Sequence, residues 1–171
     1  MSDYKWKIIM LGDFAVGKTS LVQRFVTNTF SEDYLTTIGV RVMKKEVALE
    51  GRPPVTLLVW DIAGSDSFSR VSPEYVRGAS FGIIVGDATR RPTVEALKEH
   101  AELFRSVNPD AGRIIALNKA DLLDEGGADP GKLGLADELE NDTILFTSAK
   151  DGRNVDEMFL HAARELLGKL G

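Results

Sequence analysis

The chain is 171 residues long, 43% hydrophobic and formally charged −5, with no cysteine. That is about one domain's length with enough apolar content for a sizeable core, and the negative balance excludes general binding to nucleic acid or anionic membranes, which want surplus Lys and Arg. The missing cysteines exclude disulfides, thiolate zinc sites, a Cys nucleophile and prenyl or palmitoyl anchors; no apolar run nears the ~20 residues of a membrane span, and MSDYKW is neither a signal peptide nor a myristoylation start, so a cytoplasmic protein is expected.

Residues 4–11 read as an apolar strand that stops at Gly12-Asp13-Phe14-Ala15-Val16-Gly17-Lys18-Thr19. This matches the G-x-x-x-x-G-K-[ST] phosphate loop. Its glycines let successive backbone N–H groups form an anion nest, and the helix that follows aims its positive end at the same point. Lys18 would reach the β- and γ-phosphates as a point charge, and the Thr19 hydroxyl suits Mg²⁺, which needs oxygen ligands.

Ser20, Leu21, Val22, Phe25 and Val26 carry that helix at apolar spacing, and residues 27–37 break it. Val40 to Leu49 predicts a strand whose Lys44, Lys45 and Glu46 suit an edge position. A turn over residues 50–54 leads to a buried strand, Val55 to Trp60, pairing with it as an antiparallel hairpin. After Asp61 the pattern weakens to a short helix around Ser69 to Arg77, interrupted by Pro73. Phe81 to Val85 is a strand. Thr93 marks a helix start, and Val94, Leu97, Ala101 and Phe104 keep its spacing until Asn108-Pro109. Ile114 to Leu117 is a strand, a Gly-rich loop and a short helix near Leu133 to Leu139 follow, and Ile144 to Phe146 is the last strand. Val155, Met158, Phe159, Ala162, Ala163, Leu166, Leu167 and Leu170 make a long amphipathic final helix.

Short apolar runs alternating with helices indicate a mostly parallel sheet covered on both faces. The segments GDFAVGKT, DIAG, NKAD and TSAK each follow an apolar strand directly. They therefore gather at the carboxyl ends of the strands, where open α/β sheets bind ligands.

In this order the motifs resemble those of the Ras-superfamily small GTPases, nearest in pattern to the Rab-like branch, over essentially the whole chain. The resemblance implies an α/β P-loop NTPase fold: a mostly parallel six-stranded sheet with one antiparallel edge strand, helices on both faces, and one domain over residues 1–171. It implies a molecular switch that binds GTP or GDP with Mg²⁺ and slowly hydrolyses GTP. Asp13, Phe14, Ala15, Val16, Gly17, Lys18, Thr19 and Ser20 then surround the phosphates, and Phe30 lies across the guanine face. Asn118, Lys119 and Asp121 read the base, the Asp121 carboxylate accepting a pair of N–H bonds that adenine does not offer. Ser148, Ala149 and Lys150 support that pocket, with the Ala149 N–H meeting the base oxygen. Thr19, Thr37 and Asp61 are the implied metal set. Lys18, Thr37, Gly64 and Ser65 are the implied catalytic set, Thr37 and Gly64 giving backbone N–H groups to the γ-phosphate.

Several residues depart from the family. Ser65 stands where the family usually has the Gln that orients the attacking water, with Asp66-Ser67-Phe68 after it, and slow hydrolysis is expected. Phe14 stands where a small residue is usual; its ring would either lean over the γ-phosphate and obstruct an arginine finger or point outward and pack on the switch segments. Arg41-Val42 replaces the usual D-F, which leaves an aromatic-seeking effector surface incomplete. Effectors, exchange factors and GTPase-activating proteins are implied at residues around 32–42 and 62–78, on a monomer with no nucleic-acid partner. The chain ends just past its last helix with no terminal Cys, so it is either trimmed or works without a prenyl anchor. Two rival readings are a GTP-loaded interaction module with negligible hydrolysis and a P-loop kinase or ATPase, the latter disfavoured by residues 118–121. His100 and His161 sit in helices without Cys or carboxylate partners at ligand spacing and are read as structural or solvent-facing.

Overall fold

The inner strands are mostly apolar on both faces, and the fold uses both. The computed structural model describes residues 4–31, 39–62 and 71–170. In β1 (Tyr4–Gly12) side chains alternate sides with the period of two that a strand imposes. Ile8 and Met10 enter one core with Phe25 and Phe159, while Ile9 and Leu11 enter the other with Leu97 and Phe104. The first core lies under α1 (Lys18–Thr27) and α5 (Val155–Gly168); the second lies under α2 (Pro73–Val76), α3 (Arg91–Glu95) and α4 (Leu97–Val107).

The remaining strands are β2 (Val40–Val47), β3 (Val55–Ile62), β4 (Phe81–Asp87), β5 (Gly112–Asn118) and β6 (Thr143–Phe146). Their order in the six-stranded sheet is β2-β3-β1-β4-β5-β6. β2 runs antiparallel to β3 at the edge, and the other four pairings are parallel. The expected class therefore holds. Because β1, β3, β4, β5 and β6 all point one way, the segments that follow them gather at one edge of the sheet.

Three local expectations need correction. Pro73 does not interrupt a helix but opens one: its fixed φ and missing N–H suit the first turn, and Ser72 Oγ accepts from the Glu74 N–H at 3.4 Å as its cap. Residues 69 and 70 of the expected helix lie outside the described residues. The second helix start is not Thr93 but Arg91. Thr93 sits inside α3, where its hydroxyl accepts from the Asp87 N–H at 2.9 Å and donates to Arg90 O at 2.7 Å, tying the turn after β4. Finally, the expected helix near Leu133 to Leu139 is replaced by 3₁₀ turns at Pro130–Lys132 and Asp137–Leu139. Gly134, at φ 84, breaks the apolar spacing between them.

Candidate functional site

β1 ends in a backbone turn in which every carbonyl from Gly12 to Gly17 has a donor. Lys18 Nζ donates to Gly12 O at 3.0 Å and to Asp13 O at 3.1 Å. Arg90 Nη2 donates to Phe14 O at 2.8 Å, Lys119 Nζ to Ala15 O at 3.0 Å and Asn118 Nδ2 to Val16 O at 3.0 Å. The Leu21 N–H closes the set on Gly17 O at 2.9 Å. The C=O and N–H of one trans peptide point opposite ways. Holding these six carbonyls therefore turns the N–H groups of residues 13–18 away from the donors, as an anion nest requires.

The turn also depends on two missing side chains. Gly17 adopts φ 101, and a Cβ there would collide with Asn118 Nδ2; a Cβ on Gly12 would collide with Val85 O. Lys18 is buried, and that burial lowers its pKa to about 8 even though Asp61 and Asp13 pull it upward. A buried ammonium among carbonyls is a strong attractor of further negative charge.

Asp87, at the carboxyl end of β4 and 1% exposed, organises the outer wall of the turn. Its Oδ1 accepts from the Thr89 N–H at 2.8 Å and Thr89 Oγ1 at 2.6 Å, and its Oδ2 pairs with Arg90 Nε at 3.0 Å and Lys119 Nζ at 2.9 Å. Burial pushes this carboxyl up, but the bonds from Thr89 and Lys119 outweigh it and hold the pKa below the ordinary value. His100 on α4 adds a second prop: its Nε2–H donates to Asp13 Oδ1 at 2.8 Å, and the ring is only 7% exposed. Of the two readings of His100, structural or solvent-facing, the structural one holds: it is a buried partner of the turn. His161 keeps the expected surface position, half-exposed beside Glu165 at 3.6 Å.

On the other side, Asn118 and Thr147 link the turn to the ends of β5 and β6. Thr147 Oγ1 donates to Asn118 Oδ1 at 3.1 Å, and the Ala120 N–H donates to Thr147 O at 3.0 Å. Ser148 Oγ donates to Asp121 Oδ1 at 2.8 Å and accepts from the Asp151 N–H at 3.1 Å. Ser148 O accepts from the Gly152 N–H at 2.9 Å, so the Ala149 N–H of the same peptide faces the opposite way. Arg24 of α1 holds this segment from below, through Nε to Ala149 O at 2.8 Å and Nη2 to Lys150 O. Asp121, Ser148, Ala149 and Lys150 are therefore brought together.

Thr19 Oγ1 donates to Asp61 Oδ2 at 2.6 Å, which places a hydroxyl and a carboxylate side by side at the start of α1. Both are hard oxygen donors of the kind Mg²⁺ takes, and among the described residues no cluster of three or more His, Cys, Asp or Glu offers a competing metal site. Phe14 is 47% exposed at the turn, whereas Phe30 is half-buried and packs on the Phe25–Phe159 core. Ser20 lies in the first turn of α1. Thr37, Gly64 and Ser65 lie outside the described residues.

Sequence reasoning missed Asp87, Arg90, His100 and Arg24. Asp87 had a usable signal, since it follows an apolar strand directly as the other motifs do. The other three are joined to the turn only by the folding of distant segments.

The sequence profile described as the Ras family matches residues 7–168. The chain is 36% identical to GTP-binding protein ypt1 of Schizosaccharomyces pombe over 99% of its own length and 83% of that protein's. It is 34% identical to Ras-related protein RABD1 of Arabidopsis thaliana, covering 99% and 82%. Against Ras-related protein Rab-19 of Rattus norvegicus it is 35% identical, covering 98% and 77%.

Proposed function

We propose how the site works from one premise: this chain belongs to the Ras family, and it is a small GTP-binding molecular switch that hydrolyses GTP to GDP and phosphate. The observation that carries the proposal is the turn in which six consecutive carbonyls have donors, so that the amides of residues 13–18 face elsewhere as a set. Those amides bind the phosphates, with contacts from residues 13–20, and Lys18 neutralises the charge between the β- and γ-groups. Asp121 accepts the two guanine N–H bonds, Lys119 packs its stem on the base, and the Ala149 N–H meets the base oxygen between Ser148 and Lys150. Phe30 covers the base face.

Thr19 and Asp61 fit Mg²⁺ and would hold it together with Thr37. Bound there, the ion neutralises charge on the phosphate oxygens. Hydrolysis is attack of water on the γ-phosphorus in line with the bond to the β–γ bridging oxygen. That bond breaks, GDP leaves with its electron pair, and the water's proton ends on phosphate. Lys18 and backbone N–H groups, including those of Thr37 and Gly64, stabilise the charge, and no side chain becomes covalently attached. Ser65 is too short to bridge water and phosphate as a Gln does, so turnover is slow.

The same reading takes residues 1–171 as one domain, monomeric and cytoplasmic. Effectors, exchange factors and GTPase-activating proteins meet residues around 32–42 and 62–78, where Val42 is 47% and Tyr75 44% exposed. Among the described residues no helix is long and apolar enough to cross a membrane. The alternative of a GTP-loaded module with negligible hydrolysis is not favoured by the relatives.

The test is to identify the nucleotide released on denaturation, and to follow single-turnover hydrolysis in the wild type and Ser65→Gln. GDP should co-purify, and the Gln variant should turn over about tenfold faster or more. Intact GTP in the wild type with no measurable turnover would reinstate the interaction module.

A further inference from the structure

We propose that Arg90 is a positioning residue of the phosphate loop, fixing the peptide between Phe14 and Ala15 and with it the direction of the Ala15 amide. Of the loop carbonyls 12–17, those of Gly12, Asp13, Ala15, Val16 and Gly17 are held by Lys18, Lys119, Asn118 and the Leu21 N–H. Phe14 O is held by Arg90 Nη2 at 2.8 Å. This assignment rests on the reading of the turn as a phosphate cradle.

The geometry gives this bond particular consequence. Ala15 adopts φ 63, in the left-handed region that a residue with a Cβ enters only when its surroundings hold it there. The carbonyls on either side of that strained residue are held by two cations, Arg90 before it and Lys119 after it. Both cations are anchored on one oxygen, Asp87 Oδ2, at 3.0 and 2.9 Å. Arg90 can serve both partners at once because its guanidinium is a rigid fork: Nε faces Asp87 while Nη2 faces Phe14 O. A lysine has a single nitrogen to divide between them. The peptide plane carries the effect inward, since a carbonyl pinned to Nη2 aims the Ala15 N–H away from Arg90. Arg90 thus acts on the phosphates through the backbone and never touches them.

The alternative role is a surface ion pair that merely steadies Asp87, and through it Lys119 beneath the base. The two roles separate by ligand. On the phosphate-cradle reading the loop's middle amides hold the β-phosphate, so a positioning Arg90 affects GDP and spares GMP, whereas loss of support for Lys119 affects both. The experiment is titration calorimetry of wild type, Arg90→Ala and Arg90→Lys with GDP and with GMP, beside thermal melting of each. We expect Arg90→Ala to weaken GDP about tenfold, the effect of one charge-assisted hydrogen bond, with GMP changed less than twofold and Arg90→Lys recovering part of the loss. Equal weakening of GDP and GMP, or unchanged GDP affinity, would overturn the assignment. Failure of the wild type to bind GDP at all would instead overturn the reading of the turn as a phosphate cradle. Because the Arg90 side chain is 43% exposed, truncation is expected to leave the fold intact; if Arg90→Ala melts early, Arg90→Lys alone decides, by losing GDP affinity and keeping GMP.

Discussion

At the scale of single residues, the site is a set of long-range pairings between groups whose chemistry is plain but whose meeting is not. His100 and Asp13 are 87 positions apart, and Arg90 and Phe14 are 76 apart. No spacing rule relates them. The loop motif at residues 12–19 was legible because its glycines, lysine and threonine have fixed offsets. His100 was not, because a histidine on an apolar helical stripe reads as core until its facing residue is known. Its pairing makes a testable claim about stability: His100→Leu should leave the partly buried Asp13 carboxylate without this donor and cost about 1–2 kcal/mol. His100→Gln, which keeps an N–H, should recover part of that loss in urea unfolding. Equal midpoints for all three proteins would remove the bond from the stability account.

Among the elements, strands were easier to read than turns. The six strands were legible to within a residue or two: the inner parallel strands because covering both faces leaves them mostly apolar, and β2 because its Lys44, Lys45 and Glu46 mark an edge. Between β5 and β6 the glycines and Pro130 outweigh an apolar spacing that looked helical, and near α2 the proline that seemed to break a helix begins one. β4 shows what sits beyond the apolar run: it continues through Gly86 to Asp87, a carboxylate that joins β4, α3 and the loop after β5. Asp87→Asn should therefore cost about 2–4 kcal/mol, since it leaves two cations around a buried neutral amide. The pH dependence carries a sign. With its folded pKa depressed, the ionised Asp87 contributes stability that is fully present above its ordinary value near 3.8 and is lost as pH falls through the lower folded value. Unfolding midpoints measured from pH 5 to pH 2 should thus fall more steeply for wild type than for Asp87→Asn.

For the whole molecule, the parallel run of β3, β1, β4, β5 and β6 does what no single motif can. It brings the loop after β1, Asp61 at the end of β3, Asp87 at the end of β4 and residues 118–121 and 147–150 to one edge. Alternation of runs and helices made that edge legible; which neighbours touch across it depended on strand order. A ligand spread over so many strand ends stabilises the fold against global unfolding rather than one loop against fraying. GDP at about a hundred times its Kd should add about 2.7 kcal/mol and raise the melting temperature by roughly 5–10 °C for a domain this size. Guanosine, lacking the phosphates, should do much less. A melting temperature indifferent to GDP would mean that the edge does not bind it.

The link from Val16 through Asn118 to Thr147 also sets a schedule for synthesis. A ribosome releases the loop residues well before the props that shape them, which lie at the ends of β5 and β6, and Phe25 of α1 stacks on Phe159 of α5 with ring centroids 3.9 Å apart. At ~5–20 residues per second, translation from the loop to its last prop lasts on the order of ten seconds. Through that interval the nascent chain displays its nucleotide motif without the means to fasten a nucleotide. A guanine nucleotide should therefore be held in full only by chains translated past Thr147.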